Sequence, residues 1–429
     1  MLLLVFEVLY RLVWIVLTPL VLVYLWRRGV RDARYTAHVR ERFASYAALP
    51  QNAVWIHAVS LGEVRSAVPL ARDLLAAGED IVFTHFTPAG RAEAARVFAS
   101  EIAQGRVASV WVPLDMFWTY GRFFRACRPK IGMSMEIEIW PAMILAARRA
   151  GVPLYLCNAQ YPNKSIARDS RGLRIRQRIM TRVAGAFVKS DLQAARFASI
   201  GVPNIHVTGE LRFDHPVPPT LLAAAGTFAP QIAGRRVITI ASAVEGEDAT
   251  YIDALQTFMA GPDAPLAIYV PRAPERFERV AGLLRDAGLS VVKRSDVFPD
   301  GLSGPANWPP DTQILLGDSM GEMYFYIALA SRVVVGGGFI PNGAHNIIEP
   351  LALEKPVMTG PYTHTIEYPF AEAQTAGVAI CVADSAQLAK ALCGADWTTP
   401  DAIAHFVTAH SGASARTCRA IMAELAARE

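Results

Sequence analysis

Met135-Glu136-Ile137-Glu138-Ile139-Trp140-Pro141 sets two carboxylates two residues apart at the end of an apolar run. On an extended segment, side chains at that spacing point the same way, so both acids would face one crevice. Like charges at close range raise at least one pKa, which is a usual route to an acid or base poised near neutrality. Solvation of both acids is the alternative, and Trp140 and Pro141 at a strand end make it the poorer reading. Glu63 is a third acid of this kind. It follows the run 53–59 through Ser60, Leu61 and Gly62, which places it at the C-terminal edge of a strand, where open α/β sheets hold their ligands. The alternative there is an ordinary first-turn glutamate favoured by the helix dipole.

A second set of residues suits a phosphorylated nucleoside. Val333 to Val335 form a β-branched run, and Gly336, Gly337 and Gly338 follow it, where backbone can turn tightly and approach a ligand closely. After Pro341, Asn342 and Gly343 the segment from His345 is predicted to begin a helix, whose free N–H groups would favour phosphate. Glu349 would sit on its first turn, placed to accept from ribose hydroxyls. The alternative is that the three glycines mark only a tight βα turn. Arg272 and Arg276 stand at another strand end, where a pair of guanidinium groups can clamp a phosphate or carboxylate; a capping salt bridge is the alternative.

The elements that must position these residues alternate along the chain. Strands at 53–59, 81–85, 107–112 and 131–135 are each followed by a helical segment, and a second such series begins at Arg236 beyond the proline-rich 215–220. Ahead of both, residues 1–26 are apolar except for Glu7 and Arg11, which lie four apart and can pair on one helical face. Trp14, Tyr24 and Trp26 suit an interface, and Arg27, Arg28, Arg31 and Arg34 place the rest of the chain on the cytoplasmic side. The segment is long enough to span a bilayer, and a helix lying in the interface is the rival reading. Arg168, Arg171, Arg174, Arg176, Arg178 and Arg182 are expected to decorate one helix, either as a solvated face or against a phosphate-bearing lipid.

A hydrophobic fraction of 52% against 19% charged excludes a disordered chain. The net charge of +4 suits an anionic ligand or lipid surface and is too weak to argue for nucleic acid. Five scattered cysteines, Cys127, Cys157, Cys381, Cys393 and Cys418, lack metal-ligand spacing and read as reduced thiols in a cytosolic setting.

In its ordered motifs the chain resembles the membrane-anchored 3-deoxy-D-manno-octulosonic acid (Kdo) transferases of lipopolysaccharide synthesis. The resemblance runs from the N-terminal anchor through His57-Ala58-Val59-Ser60-Leu61-Gly62-Glu63, Met135 to Pro141 and Leu211-Arg212-Phe213-Asp214. It continues through Val270-Pro271-Arg272, Gly317 to Met323, and His345-Asn346 with Glu349. It implies a GT-B architecture: an anchor helix at 1–28, an acceptor-binding Rossmann-like domain at 29–214 and a nucleotide-sugar-binding one at 215–429, the two facing a cleft. The implied reaction moves Kdo from CMP-Kdo to a phosphorylated lipid A precursor with inversion, at the cytoplasmic face of a bacterial inner membrane and without metal or cofactor. Glu63 would be the base, with Glu136 and Glu138 completing the catalytic group and Ser60 and Gly62 on the acceptor side. Ser242, Pro271, Arg272, Gly321, Glu322, Met323, Gly336, Gly337, Gly338, Asn346 and Glu349 would hold CMP, and Arg212 would balance donor charge. The family's Ser-Thr-His-x-Gly-Glu motif is replaced by Ser242-Ala243-Val244-Glu245-Gly246-Glu247, its usual histidine by Ala273 and a second glycine by Ala344. Its Asn-Ala-Arg and Gly-Pro-His-Thr segments become Asn158-Ala159-Gln160 and Gly360-Pro361-Tyr362-Thr363.

Overall fold

Short aliphatic runs without polar alternation become parallel strands covered on both faces by helices. The computed structural model describes residues 2–262 and 264–428, and its backbone separates into two units, 1–215 with 411–429, and 216–410. The first holds β1 (Val54–His57), β2 (Ile81–His85), β3 (Val107–Trp111), β4 (Ile131–Met135), β5 (Leu154–Ala159), β6 (Gly185–Val188) and β7 (Ile205–Val207). Their order is β3-β2-β1-β4-β5-β6-β7, parallel throughout. The second holds β8 (Val237–Ala243), β9 (Leu266–Pro271), β10 (Val291–Lys293), β11 (Ile314–Leu316), β12 (Arg332–Val335), β13 (Val357–Thr359) and β14 (Ala379–Cys381). These pair in the order β10-β11-β9-β8-β12-β13-β14, again all parallel.

In each unit the winding reverses once, between β1 and β4 in the first and between β8 and β12 in the second. Loops leave the strand ends in opposite directions at such a point and open a crevice there. Glu63 and Glu136 follow the two switch-point strands of the first sheet; in the second, Ser242 lies at the end of β8 and Gly336 follows β12. Aromatic packing stiffens the floor below: Trp55 of β1 is fully buried, with ring centroids 5.1 Å from Phe123 and 5.7 Å from Phe124.

Four sequence expectations change. Residues 411–429, expected in the second domain, return to the first unit, where Ala413, Cys418, Ile421 and Leu425 join its core. The arginine-rich segment is two short helices, Asn163–Asp169 and Ile175–Met180, because Gly172 turns with φ of +57° between them. The anchor is one helix, α1 (Leu2–Arg31), but Glu7 pairs with Arg149 instead of Arg11, which sits over Phe117. The helix expected from His345 is a single turn, Ile348–Leu351.

Candidate functional site

Glu63 occupies the first turn of α2 (Leu61–Ala76), and the Ser60-x-x-Glu63 spacing forms a capping box there. The Ser60 Oγ accepts from Glu63 N at 3.3 Å and donates to Glu63 Oε1 at 2.9 Å, while Val59 N donates to Oε2 at 2.8 Å. The carboxylate is therefore pinned at the end of β1. Burial raises its pKa to about 7, reinforced by the negative charges of Glu138 and Glu136 and opposed by the hydrogen bonds from Val59 and Ser60. Gly62 leaves the space beside it open, since a Cβ there would meet only Ser60 Oγ at 4.0 Å. His57 is no rival base: burial drives its pKa down to about 3, so its imidazole is neutral.

The two acids after β4 are not the parallel pair that an extended segment predicts. Glu136 has φ of +55°, a left-handed turn that breaks the alternation and sends the carboxylates to different partners. Glu138 accepts from Trp140 Nε1 at 2.7 Å. Glu136 accepts from Asn158 Nδ2 at 2.9 Å and from Lys189 Nζ at 3.0 Å. The Lys189 ammonium, fully buried, also bonds Glu210 at 2.8 Å, and Arg212 grips Glu210 with Nε at 3.0 Å and Nη2 at 2.9 Å. Burial alone would raise the Glu210 pKa, yet Arg212 and Lys189 hold it well below the ordinary carboxylate range. Two acids and two bases thus compensate one another. Among the described residues neither Glu63 nor Glu138 has an ion-pair partner. Lys189 and Glu210 carry no individual signal in the sequence, because their neighbours are far apart along the chain. Arg212 belongs to the first unit, and the other residues expected to hold the donor belong to the second.

In the second unit the glycine loop is packed backbone to backbone. A Cβ on Gly336 would stand 2.4 Å from the Ser242 carbonyl oxygen, and one on Gly338 would stand 2.5 Å from Gly360 N. Gly337 has φ of +88°, and Ser242 itself turns left-handed at +59° beside a register shift in β8. This loop is organised by a residue to which sequence alone assigns no role. Glu247, fully buried, accepts from Gly337 N at 2.8 Å, Phe339 N at 2.9 Å and Val244 N at 3.2 Å. Its position in the Gly-Glu end of the altered motif is the one clue the sequence offers.

Arg272, at the end of β9 after Pro271, is exposed and contacts the His345 ring, with Nη1 2.6 Å from Nε2. Burial and the neighbouring guanidinium push the His345 pKa down to about 4, leaving a neutral ring. Both line a cavity of about 470 Å³ with Val244, Asn342, Gly343 and Thr365. Arg276 does not join the clamp: it is buried, donating to the Ala243 carbonyl at 2.6 Å and to Asp248 at 2.6 and 2.7 Å. The salt-bridge alternative describes it. Asn346 Oδ1 accepts from Ile348 N at 3.0 Å just ahead of the one-turn helix, and Glu349 lies within that turn. A single turn has little dipole, so preference for an anion rests on Arg272. Gly321, with φ of +84°, precedes the helix Met323–Leu329, whereas the Glu322 carboxylate is engaged by Arg294 at 2.6 and 2.7 Å. No group of three or more potential metal-ligating side chains occurs among the described residues.

The family model for 3-deoxy-D-manno-octulosonic-acid transferase (kdotransferase) matches residues 37–215, which contain Glu63, Glu136 and Lys189. A 3-deoxy-D-manno-octulosonic acid transferase of Bordetella pertussis is 35% identical over 94% of this chain and 96% of its own length. The chain belongs to the 3-deoxy-D-manno-octulosonic acid transferase family. Its Haemophilus influenzae relative of the same name is 29% identical over 84% of this chain and 83% of its own. Solved structures extend the likeness in fold alone. A Glycyrrhiza uralensis enzyme complexed with glycyrrhetinic acid 3-O-monoglucuronide aligns with a TM-score of 0.59 at 12% identity, covering 88% of this chain and 96% of that one. The UDP-GlcNAc 2-epimerase of Neisseria meningitidis aligns at 0.55 and 13%, covering 88% of this chain and all of that one. The fold of this family member is GT-B, with two parallel seven-stranded sheets.

Proposed function

We propose that this chain transfers Kdo from CMP-Kdo to a hydroxyl of a phosphorylated lipid A precursor, with inversion, at the cytoplasmic face of a bacterial inner membrane. The observation that carries the reading is Glu63: a carboxylate at a switch-point strand end, pinned by two hydrogen bonds, with a pKa of about 7. In its ionised form it takes the proton of the attacking hydroxyl, the hydroxyl oxygen bonds the anomeric carbon, and the bond from that carbon to the CMP phosphate breaks. The electron pair leaves with CMP. Because that leaving group is already a phosphate, the protein has mainly to align the partners and offset charge.

Arg272 supplies a cation for the donor phosphate, and Glu247, by accepting from Gly337 N and Phe339 N, holds the shape of the loop beside it. Asn346 and Glu349 serve the nucleoside side, and Gly321 to Met323 offer backbone to the base. Lys189 and Glu210 hold Glu136 in place beneath the acceptor. A second reading, transfer from another activated sugar, is favoured by Val244, which lines the cavity beside Arg272 where the family pattern has histidine.

The deciding assay measures sugar transfer from CMP-Kdo, generated in situ, to a tetra-acylated lipid A precursor by wild type and Glu63→Ala, with CMP affinity followed by calorimetry. Product from the wild type alone, with CMP bound equally by both proteins, is expected. Turnover retained by Glu63→Ala would remove the base assignment, and a wild type binding UDP but not CMP would move the donor to the second reading.

A further inference from the structure

The contacts of α1 decide how this helix meets a membrane. Leu3, Phe6 and Tyr10 pack into the first unit's core, and Tyr10 Oη donates to Asp115 at 2.5 Å. Glu7 pairs with Arg149, Thr18 reaches Met116 Sδ at 3.8 Å, and Leu25 is 2% exposed. Anchorage to the domain therefore runs from Leu3 to Thr18, about half the helix. From Thr18 to its end at Arg31 the helix advances only roughly 20 Å at 1.5 Å per residue, whereas a bilayer core is about 30 Å thick. A helix held in this way cannot cross. Its outward side is nonetheless apolar, with Val8, Leu12, Ile15, Val16, Leu20 and Trp26 between 54% and 70% exposed.

Cations flank that apolar side. Arg11, Arg125, Arg128 and Arg149 line a hollow of about 580 Å³ that has no acidic lining residue, Arg149 sharing its charge with Glu7 from the hollow's edge. Arg11 and Arg149 both stack on Phe117, at 4.5 and 5.1 Å, which fixes two of the four guanidinium groups. Arg174, Arg178 and Arg182 line a second hollow, of about 470 Å³, beside Leu2 and Leu3. Apolar side chains bordered by a surplus of positive charge match the boundary between acyl chains and anionic headgroups.

We infer that α1 lies in the plane of the membrane as a half-immersed ridge, and that the Arg11–Arg125–Arg128–Arg149 hollow seats the phosphate of an anionic phospholipid headgroup. The inference rests on the reading that this segment meets a membrane, and it is independent of the donor assignment. It makes the first unit a part of the interface instead of a body tethered below it.

The test uses the full chain carrying a protease-cleavable N-terminal tag, reconstituted on phosphatidylcholine vesicles with and without phosphatidylglycerol. Cleavage of the tag from the same side as the folded domains is expected; a tag protected until detergent is added means a spanning helix and overturns the in-plane placement. Flotation then compares wild type with the Arg125→Gln/Arg128→Gln double variant. At about 1 kcal/mol per charge near an anionic surface, partition onto phosphatidylglycerol vesicles should fall about 30-fold, with partition onto pure phosphatidylcholine unchanged. Equal partition of both proteins on anionic vesicles, or an equal loss on neutral ones, would overturn the headgroup seat. CMP affinity, measured on both proteins, reports that each is folded and keeps failure here distinct from failure of the donor reading.

Discussion

Glu63 is held by two opposed influences. The capping hydrogen bonds from Val59 and Ser60 stabilise the ionised carboxylate, while burial and the charges of Glu138 and Glu136 destabilise it, and the second group wins. A base raised to about 7 must lose its proton before it can act. The rate kcat/KM should therefore rise tenfold per pH unit up to about pH 7 and level off above it. Glu138→Gln removes a like charge from its surroundings and should move that limb to lower pH. Glu63→Gln should lower kcat by about 10² to 10⁴ and abolish the limb while CMP affinity stays constant. A profile whose limb is identical in wild type and Glu138→Gln would contradict the electrostatic account. The network behind these acids is of a different kind: buried Lys189 bridges Glu136 and Glu210, so its removal would leave Glu136 without a cation and Glu210 with Arg212 alone.

At the scale of the element, the glycine loop after β12 depends on close backbone approach more than on flexibility. Gly336 lies against the Ser242 carbonyl, where an added Cβ would fall 2.4 Å from the oxygen. Gly336→Ala should force the two switch-point strand ends apart and weaken CMP binding about 10- to 100-fold, in line with the 1–3 kcal/mol typical of overpacking. Gly321 makes the comparison informative. Its φ of +84° disfavours a side chain, but a Cβ there would meet open space, so Gly321→Ala should lower stability by about 1–2 kcal/mol. Calorimetry with CMP and thermal melts on both variants check the pair; equal effects on affinity would mean that close approach is not what the loop requires.

At the scale of the whole molecule, the chain end belongs to the unit in which it began. Asp214 accepts from Gly412 N at 2.5 Å and Ser414 N at 2.6 Å, and Tyr155 Oη donates to Glu424 at 2.5 Å. The helix Ala413–Ala426 packs against α2 and so supports the element that carries Glu63. Ending the chain at His410 should cost the first unit about 3–6 kcal/mol, from Ile421 and Leu425 lost to its core at 1.5–3 kcal/mol each. CMP affinity of the 216–410 unit should not change. Denaturant unfolding with and without CMP separates the two effects, and a truncated chain that loses CMP affinity while its first unit keeps its stability would show that the division is wrong.

Pattern and spacing determined a good deal of this protein. Uninterrupted apolar runs mark strands buried on both faces, so β2 and β4 have the bounds predicted for them, and the alternation with helices dictates two doubly wound sheets. Ser60-x-x-Glu63 and the three glycines are local signals, because a capping box and a tight turn are made by neighbours in sequence. Tertiary structure decided what depends on partners distant in the chain. Lys189 reaches Glu136 across 53 positions and Glu247 reaches Gly337 across 90, distances at which no periodicity operates. Arg272 and Arg276 have the same side chain and neighbouring positions, yet one is exposed beside His345 and the other is consumed by Asp248; only the packing of β8 against β9 distinguishes them. The same holds for α1, whose composition allows a spanning helix and whose bonds to Asp115 and Arg149 lay it along the domain.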